Sequence, residues 1–408
     1  MKTLIKISWR NIWRNRTRSL IIIIAIILGL MGGIFSAAVR LGTEQQQYRE
    51  SVEHQISHIQ IHHPEFIANP EARFRIEEGF AIAEAINKME GIKIASARTV
   101  FDGMVASASM NSGVRIKGID PKTEALTTSL DRLITEGSYF EAEGRLPSVI
   151  IGEELAEKLN AGVGSRIVLT FQDIEGEILS ASFRVEALYK VSSARFEERN
   201  VFVINREINN FIGDANAVNE IAILIENGDE YRMITNILRD KYPSLEVRHW
   251  ADIMPALFYA LEFLGQSLIW LVGIIIMGVS FGLLNTILMS VLERIREFGV
   301  LMAIGMKKTM VFGMILLETT MVSLIGGIIG LVLSFGMVEY LNRRGLDLSG
   351  VGGEGMAEFG YASVIYPNIE PTFYFEILVV VVGFAILASI YPAWKAIRLV
   401  PAEAVRTE

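Results

Sequence analysis

Apolar and polar positions separate along this chain into a few long blocks and one long mixed region. Ser19 to Val39 carries no charge between Arg18 and Arg40, and Phe263 to Leu292 is longer and equally uncharged. Thr309 to Val338 is interrupted by the single acid Glu318, and Ile377 to Trp394 holds Pro392 near its end. Each run is close to or beyond the roughly 20 apolar residues that cross a hydrocarbon core as a helix. One span, a long polar stretch and then three spans predict a membrane protein with one large domain outside the bilayer.

That domain, residues 41–261, switches between two periodicities. His58 to His62, Val100 to Ala106, Val114 to Ile119, Arg166 to Phe171, Phe183 to Leu188, Val201 to Ile204 and Ile221 to Ile225 are rich in β-branched and aromatic residues and read as strands. Glu78 to Met89, Glu153 to Leu159 and Glu230 to Lys241 read as helices set off by turn signals. The expected fold class is a membrane protein with four transmembrane helices, one plus three, and a large α+β extracytoplasmic domain between helices 1 and 2. Two subdomains are expected in it, with residues 124–213 as an insertion.

Charge sets the orientation, because basic residues next to span ends stay cytoplasmic. Residues 1–18 hold six Lys or Arg and no acid, the segment 293–308 holds four, and the tail from Lys395 holds three. Together they carry 13 basic and 4 acidic residues, so a chain of net charge −8 is left with −17 elsewhere. The expected layout is a cytoplasmic N-terminal helix (1–18), span 1 (19–40), the external domain, span 2 (262–292), a cytoplasmic segment (293–308), span 3 (309–338), an external loop (339–374), span 4 (375–397) and a cytoplasmic tail (398–408). An acidic exterior argues against a nucleic-acid or anionic-lipid surface there. A cleaved signal peptide is disfavoured, because the first apolar run exceeds the usual hydrophobic region. Lys2, Lys6, Arg10, Arg14 and Arg18 also recur every fourth residue beside an Ile5, Trp9, Ile12, Trp13 stripe, the pattern of an amphipathic helix lying in the membrane surface.

Candidate chemistry changes this picture little. His54, His58, His62 and His63 cluster, but with no cysteine in the chain and a strand-like spacing they read as a solvated strand entry, and no metal ligand set is assigned. No phosphate-binding loop, nucleophile elbow or H-E-x-x-H is present, so no catalytic residue is assigned. Gly29/Gly33, Gly278/Gly282 and Gly326/Gly330 each form G-x-x-x-G, which suits close helix packing within one subunit or across a dimer. Glu318 is the intramembrane polar candidate, for structural pairing or a transport role. Tyr340 to Tyr374, with Gly352-Gly353-Glu354-Gly355 and the aromatics Phe359, Tyr361 and Tyr366, reads as a flexible loop or a cover over a lateral opening.

The most specific stretch is Glu293-Arg-Ile-Arg-Glu-Phe-Gly-Val-Leu-Met-Ala-Ile-Gly-Met306. It resembles the E-R-x-x-E-x-G-x-L-x-A-x-G signature of the FtsX/LolC/MacB-type permeases of ABC transporters. Trp9-Arg-Asn-Ile-Trp-Arg-Asn-Arg-Thr-Arg18 and Tyr391-Pro-Ala-Trp-Lys-Ala-Ile-Arg-Leu-Val-Pro-Ala-Glu-Ala-Val-Arg406 are similar to that family's opening and close. The resemblance implies a non-catalytic permease in a bacterial inner membrane. It also implies a coupling helix built on Glu293, Arg294, Arg296 and Glu297, with Gly299 and Gly305 turning the chain into span 3. The implied partners are a dimer of ABC ATPase subunits that binds ATP and Mg, a second permease copy (identical or a paralogue), and membrane lipids. No cofactor is implied for this chain itself.

Within the family, His58-Ile-Gln-Ile61, Lys117-Gly-Ile-Asp-Pro121, Val149-Ile-Ile-Gly-Glu-Glu-Leu-Ala156 with Val163-Gly164, and Arg248-His-Trp250 look like the lipoprotein-releasing permeases, LolC and LolE. That implies extraction of lipoproteins toward a periplasmic carrier or adaptor. Acyl chains would then enter near Leu28, Phe35, Leu264 and Phe281. Export of peptides or small molecules by the MacB-like mechanism, and FtsX-like envelope signalling, remain open.

Overall fold

The computed structural model describes residues 2–14, 16–141, 145–348 and 364–398. The Gly352–Gly355 run, Phe359, Tyr361 and the closing motif beyond Arg398 lie outside the described residues, as do the side chains of Arg18 and Leu264. The chain forms two compact units, a helical one (up to Glu44, Leu261–Leu346 and from Ile365) and an α/β one centred on Gln45–Ala260.

In the helical unit, α1 (Lys2–Arg14) precedes α2 (Arg16–Tyr48), α10 (Pro255–Glu293), α11 (Ile295–Ala303), α12 (Lys308–Arg344) and a last helix, Pro371–Arg398. Four of these are long and apolar enough to cross a membrane: α2, α10, α12 and the last. They pack through small residues. A Cβ on Gly326 would sit 3.2 Å from the Ile26 side chain, and one on Gly330 would sit 3.0 Å from Leu30, so this pair lets α12 lie close to α2. Gly278 and Gly282 meet nothing within 4 Å. The α1 stripe divides: Ile5, Trp9 and Trp13 are exposed, whereas Ile12 is buried beside Ile23 and Val322.

The α/β unit carries β1 (Ile59–His62), α3 (Gly79–Ile86), β2 (Ile92–Ala106), β3 (Asn111–Ile119), α4 (Pro121–Thr127), β4 (Ile134–Gly137), β5 (Ser148–Gly152), α5 (Glu153–Leu159), β6 (Arg166–Gln172), β7 (Ile178–Tyr189), α6 (Ala194–Arg199), β8 (Asn200–Ile204), α7 (Asn205–Ile212), β9 (Glu220–Ile225), α8 (Tyr231–Lys241), β10 (Glu246–His249) and α9 (Trp250–Ile253). Strand order is β10-β1-β9-β2-β3-β8-β5-β7-β4, with β6 pairing β2 and β7. The long strand β2 belongs to two cores. Its first half pairs β9 and covers a core of Ile59, Ile61, Ile86, Ile223 and Leu238; its second half pairs β3 and β6 over Phe101, Val105, Ile116, Ile151 and Phe183.

Arg98, fully buried in β2, ties these parts together. Its Nε and Nη2 donate to Glu124 at 2.8 and 2.7 Å and its Nη1 donates to Glu220 at 2.7 Å, while Glu220 also faces His62 Nε2 at 3.3 Å. Arg98 and His62 hold the Glu220 carboxyl well below the usual range against the cost of burial.

The histidine expectation is overturned here, because His58 and His62 are buried rather than solvated. β1 is paired on both sides, by β9 and β10, and aromatic rings cover the imidazoles, Phe66 stacked on His62 at 5.1 Å and Tyr48 against His58 at 6.0 Å. His58 Nδ1 accepts the Ile225 N–H at 3.3 Å, and burial pushes its imidazole down to about 4. Tyr48, at the end of α2, and Trp250, just before α10, meet edge to face at 5.3 Å.

Candidate functional site

Within the helical unit, charges from three helices meet where α10 ends. Arg294 breaks the helix, with φ −104° and ψ 13°, and α11 starts one residue later. Its guanidinium lies over the ring of buried Phe298 at 5.2 Å. From there Nη1 donates to both carboxylate oxygens of Glu318 on α12, at 3.2 and 3.1 Å, and Nε donates to Glu297 at 3.2 Å. Glu297 also accepts from Arg14, the last residue of α1. The resulting order is Arg14, Glu297, Arg294, Glu318. Arg14 and then Arg294 hold the Glu297 carboxyl below its ordinary range, and Glu297 in turn raises Arg14.

Local contacts hold α1 where Arg14 can reach. Ser8 Oγ donates to the Met314 carbonyl at 3.3 Å, and Ser19 Oγ donates to that of Ile12 at 2.7 Å. A cleft of about 50 Å³ lies beside the charges, with Asn11, Ser19 and Thr319 on its wall together with Ile22, Ile287 and Val322. An intramembrane carboxylate needs a partner or a wet surface, and Glu318 has Arg294.

Gly305 closes α11. It adopts φ +106°, its N–H reaches the Met302 carbonyl at 3.1 Å, and Met306 N–H reaches Leu301 at 3.0 Å, the paired bonds of a Schellman turn. Gly299 differs from the expectation: it is buried inside α11, so Gly305 alone makes the turn into α12. Glu293 ends α10 and Arg296 lies exposed on α11. Arg296, Val300 and Ile304 recur at i, i+4 and i+8 on the outward face, the last two 44% and 79% exposed. Arg14, Val300 and Ile304 escaped the sequence reading. The regular basic spacing of α1 was the available signal for Arg14.

The substrate-entry residues whose side chains are described, Leu28, Phe35 and Phe281, do not line the apolar crevice of the bundle. That crevice, between α2, α10 and the last helix, is lined by Gly29, Leu30, Gly33, Ile275, Leu283 and Val381. Leu28 and Phe281 are 64% and 66% exposed on the outside of the bundle, a rotation of about 100° per residue away for Leu28. Phe35 is half-buried.

Residues 19–240 match the MacB-like periplasmic core domain family, and residues 269–401 match the FtsX-like permease C-terminal family. An uncharacterized ABC transporter permease of Methanocaldococcus jannaschii is 22% identical, over 99% of this chain and 98% of its own length. The lipoprotein-releasing system transmembrane protein LolC of Haemophilus influenzae is 22% identical, over 94% and 92%. The pyoverdine export ATP-binding/permease protein PvdT of Pseudomonas savastanoi pv. phaseolicola is 23% identical over 82% of this chain, which spans only 51% of that protein.

Proposed function

The chain belongs to the ABC transporter permeases that carry a MacB-like periplasmic core domain and an FtsX-like C-terminal region, and on that footing we propose that it transmits the work of a separate ATP-hydrolysing subunit to its external domain. Both termini and α11 face the cytoplasm of a bacterial inner membrane in this reading, and the chain works as one of a pair of permeases. One observation carries it: the Arg14–Glu297–Arg294–Glu318 chain ties α11 to α1 and α12 while Val300 and Ile304 point outward. A short helix anchored on its inner side, with Val300 and Ile304 beside Arg296 on its outer side, suits a groove on a partner, and the neighbouring charges set its register. Rotation of α11 on ATP binding would then pull directly on α12. In an Ile304→Asp variant the ATPase should fail to copurify while the permease keeps its fold; full copurification with unchanged ATP turnover would remove the docking role.

The work is extraction of lipoproteins toward the outer membrane. Leu20, Ile24 and Leu28 on α2 and Ile274, Met277 and Phe281 on α10 leave open apolar faces suited to acyl chains, each buried methylene contributing roughly 0.8 kcal/mol. Photoreactive residues at Leu28 and Phe281 should capture a triacylated lipoprotein in native membranes, and ATP should discharge it when an acceptor is present. Likeness to the pyoverdine exporter favours a second reading, export of a soluble compound. Stimulation of ATP turnover by such a compound, with no acylated adduct, would select it.

A further inference from the structure

One side of α1, within the helical unit, stays open. Successive residues step about 100° around a helix, so four rows run along it. Leu4, Ser8 and Ile12 face the bundle: Ser8 and Ile12 are buried, and Ser8 Oγ donates to the Met314 carbonyl of α12. Ile7 and Asn11 flank that row, half-buried. The remaining two rows, Ile5, Trp9, Trp13 and Lys6, Arg10, Arg14, lie side by side and are exposed. Trp9 and Trp13 meet edge to face at 6.0 Å. The basic row meets an acid at Arg14, through Glu297; among the described residues Lys6 and Arg10 meet none.

The turn into α2 fixes the level of this open side. Along one continuous helix Ile12 and Ser19 would lie about 10 Å apart. Here Ser19 Oγ donates to the Ile12 carbonyl at 2.7 Å, and Ile12 packs beside Ile23 and Val322, so α1 folds back against the start of α2. Ser19 opens the uncharged run of the first span, which puts Trp13, the neighbour of Ile12, where that run enters the membrane. Tryptophan at this depth belongs to the headgroup level, and a basic row beside it meets lipid phosphates. Residues 1–18 hold six Lys or Arg and no acid, the sign that complements an anionic leaflet.

We propose that Lys6, Trp9, Arg10 and Trp13 bind an anionic phospholipid of the cytoplasmic leaflet, and that this lipid holds α1 in place so that Arg14 stays on Glu297. An acidic protein would use the basic row but has no need of tryptophans at the mouth of a span. The charge of the leaflet then becomes an input to the joint between α1 and α11. Which leaflet this is rests on the orientation proposed above; the binding itself depends neither on ATPase docking nor on the cargo.

The full chain, reconstituted in nanodiscs of phosphatidylcholine with or without phosphatidylglycerol, each lipid in turn carrying a photoreactive group, tests it by mapping adducts to residues 2–14. Phosphatidylglycerol should label this segment at least about fivefold more strongly, the scale of one basic residue at an anionic surface, and should slow deuterium uptake by the α1 amides. Lys6→Gln with Arg10→Gln should erase both differences, and Lys6→Arg with Arg10→Lys should keep them. Arg343→Gln, at the far end of α12, should leave them unchanged. Equal labelling by the two lipids, a preference that survives the glutamine pair, or a preference without slower exchange overturns the proposal. Loss of labelling when the ATPase subunit or a second permease copy is present, with α1 exchange slowed by that protein, would assign the face to the protein and overturn it as well. Neither readout with the permease alone needs the ATPase, so failure of docking on α11 and failure of the lipid site are seen separately.

Discussion

Arg98 and Arg294 each stand between two carboxylates, under opposite solvation. Arg98 is sealed with Glu124 and Glu220 inside the α/β unit, whereas Arg294 leads outward to an Arg14–Glu297 pair whose side chains are 58% and 46% exposed. In the sealed chain neither acid can be lost without stranding charge at low dielectric, so the network fixes which elements touch. In the outer chain water and salt screen the Arg14–Glu297 pair, so that bond can break and re-form at little cost, while Arg294–Glu318 stays largely covered behind it. The first arrangement suits a rigid body, the second a joint that has to be remade in every cycle.

The comparison breaks most directly at Arg98. Arg98→Ala leaves Glu124 and Glu220 buried without their cation and should lower the unfolding free energy by about 3–5 kcal/mol. Urea unfolding of the purified protein measures it, and a loss below about 1 kcal/mol would mean the sealed network is as dispensable as a surface pair.

Acid tests the same unit by another route. His58 sits at about 4 against an ordinary 6.5, so the unfolded chain takes up the proton first. The stability this gives is complete above pH 6.5, falls as the pH drops, and is gone below about 4, a loss on the order of 3 kcal/mol. Thermal midpoints across that window should decline in the wild type and decline less in His58→Gln. Identical slopes would exclude His58 as the cause.

At the helical end the effects shrink. Glu318→Gln removes one of two partners from Arg294, which is only 12% exposed, and should cost about 1–3 kcal/mol in detergent unfolding. Glu297→Lys should change stability by no more than about 1 kcal/mol, since its pairs reach the surface, yet detach ATP turnover from transport. If Glu297→Lys proved as destabilising as Arg98→Ala, the contrast between joint and rigid body would collapse.

The spans were legible because a long uncharged run has few alternatives in water, and the strand at Val114 to Ile119 because β-branched residues alternate there. Ser148–Gly152 is buried throughout, and its Val-Ile-Ile centre lacks the alternation that marks a strand with one wet face. Helix α7 was hidden by its asparagines, which look like turn signals. In the fold Asn205 and Asn209 stand one turn apart with both Oδ1 atoms within hydrogen-bond distance, 3.0 and 2.7 Å, of Thr99 Oγ1, which has one proton to donate among them, while Ile208 and Ile212 fill the core. Glu318 stood out in the sequence as an acid in a span, but its partner lies 24 residues back, across a helix break, where no local periodicity connects them. The burial of His58 and His62 was equally out of reach, because it depends on β9 and β10, which arrive more than 150 residues later.

The shared strand β2 has a further consequence. A strand of 15 residues extends roughly 50 Å, and the two cores grip opposite halves of it. Neither core can melt without stripping hydrogen bonds from the other's edge, so calorimetry of the external domain should register one cooperative endotherm. In native-state hydrogen exchange the amides of Ala97 to Phe101, at the crossing point, should be the last to take up deuterium, exchanging only through global opening.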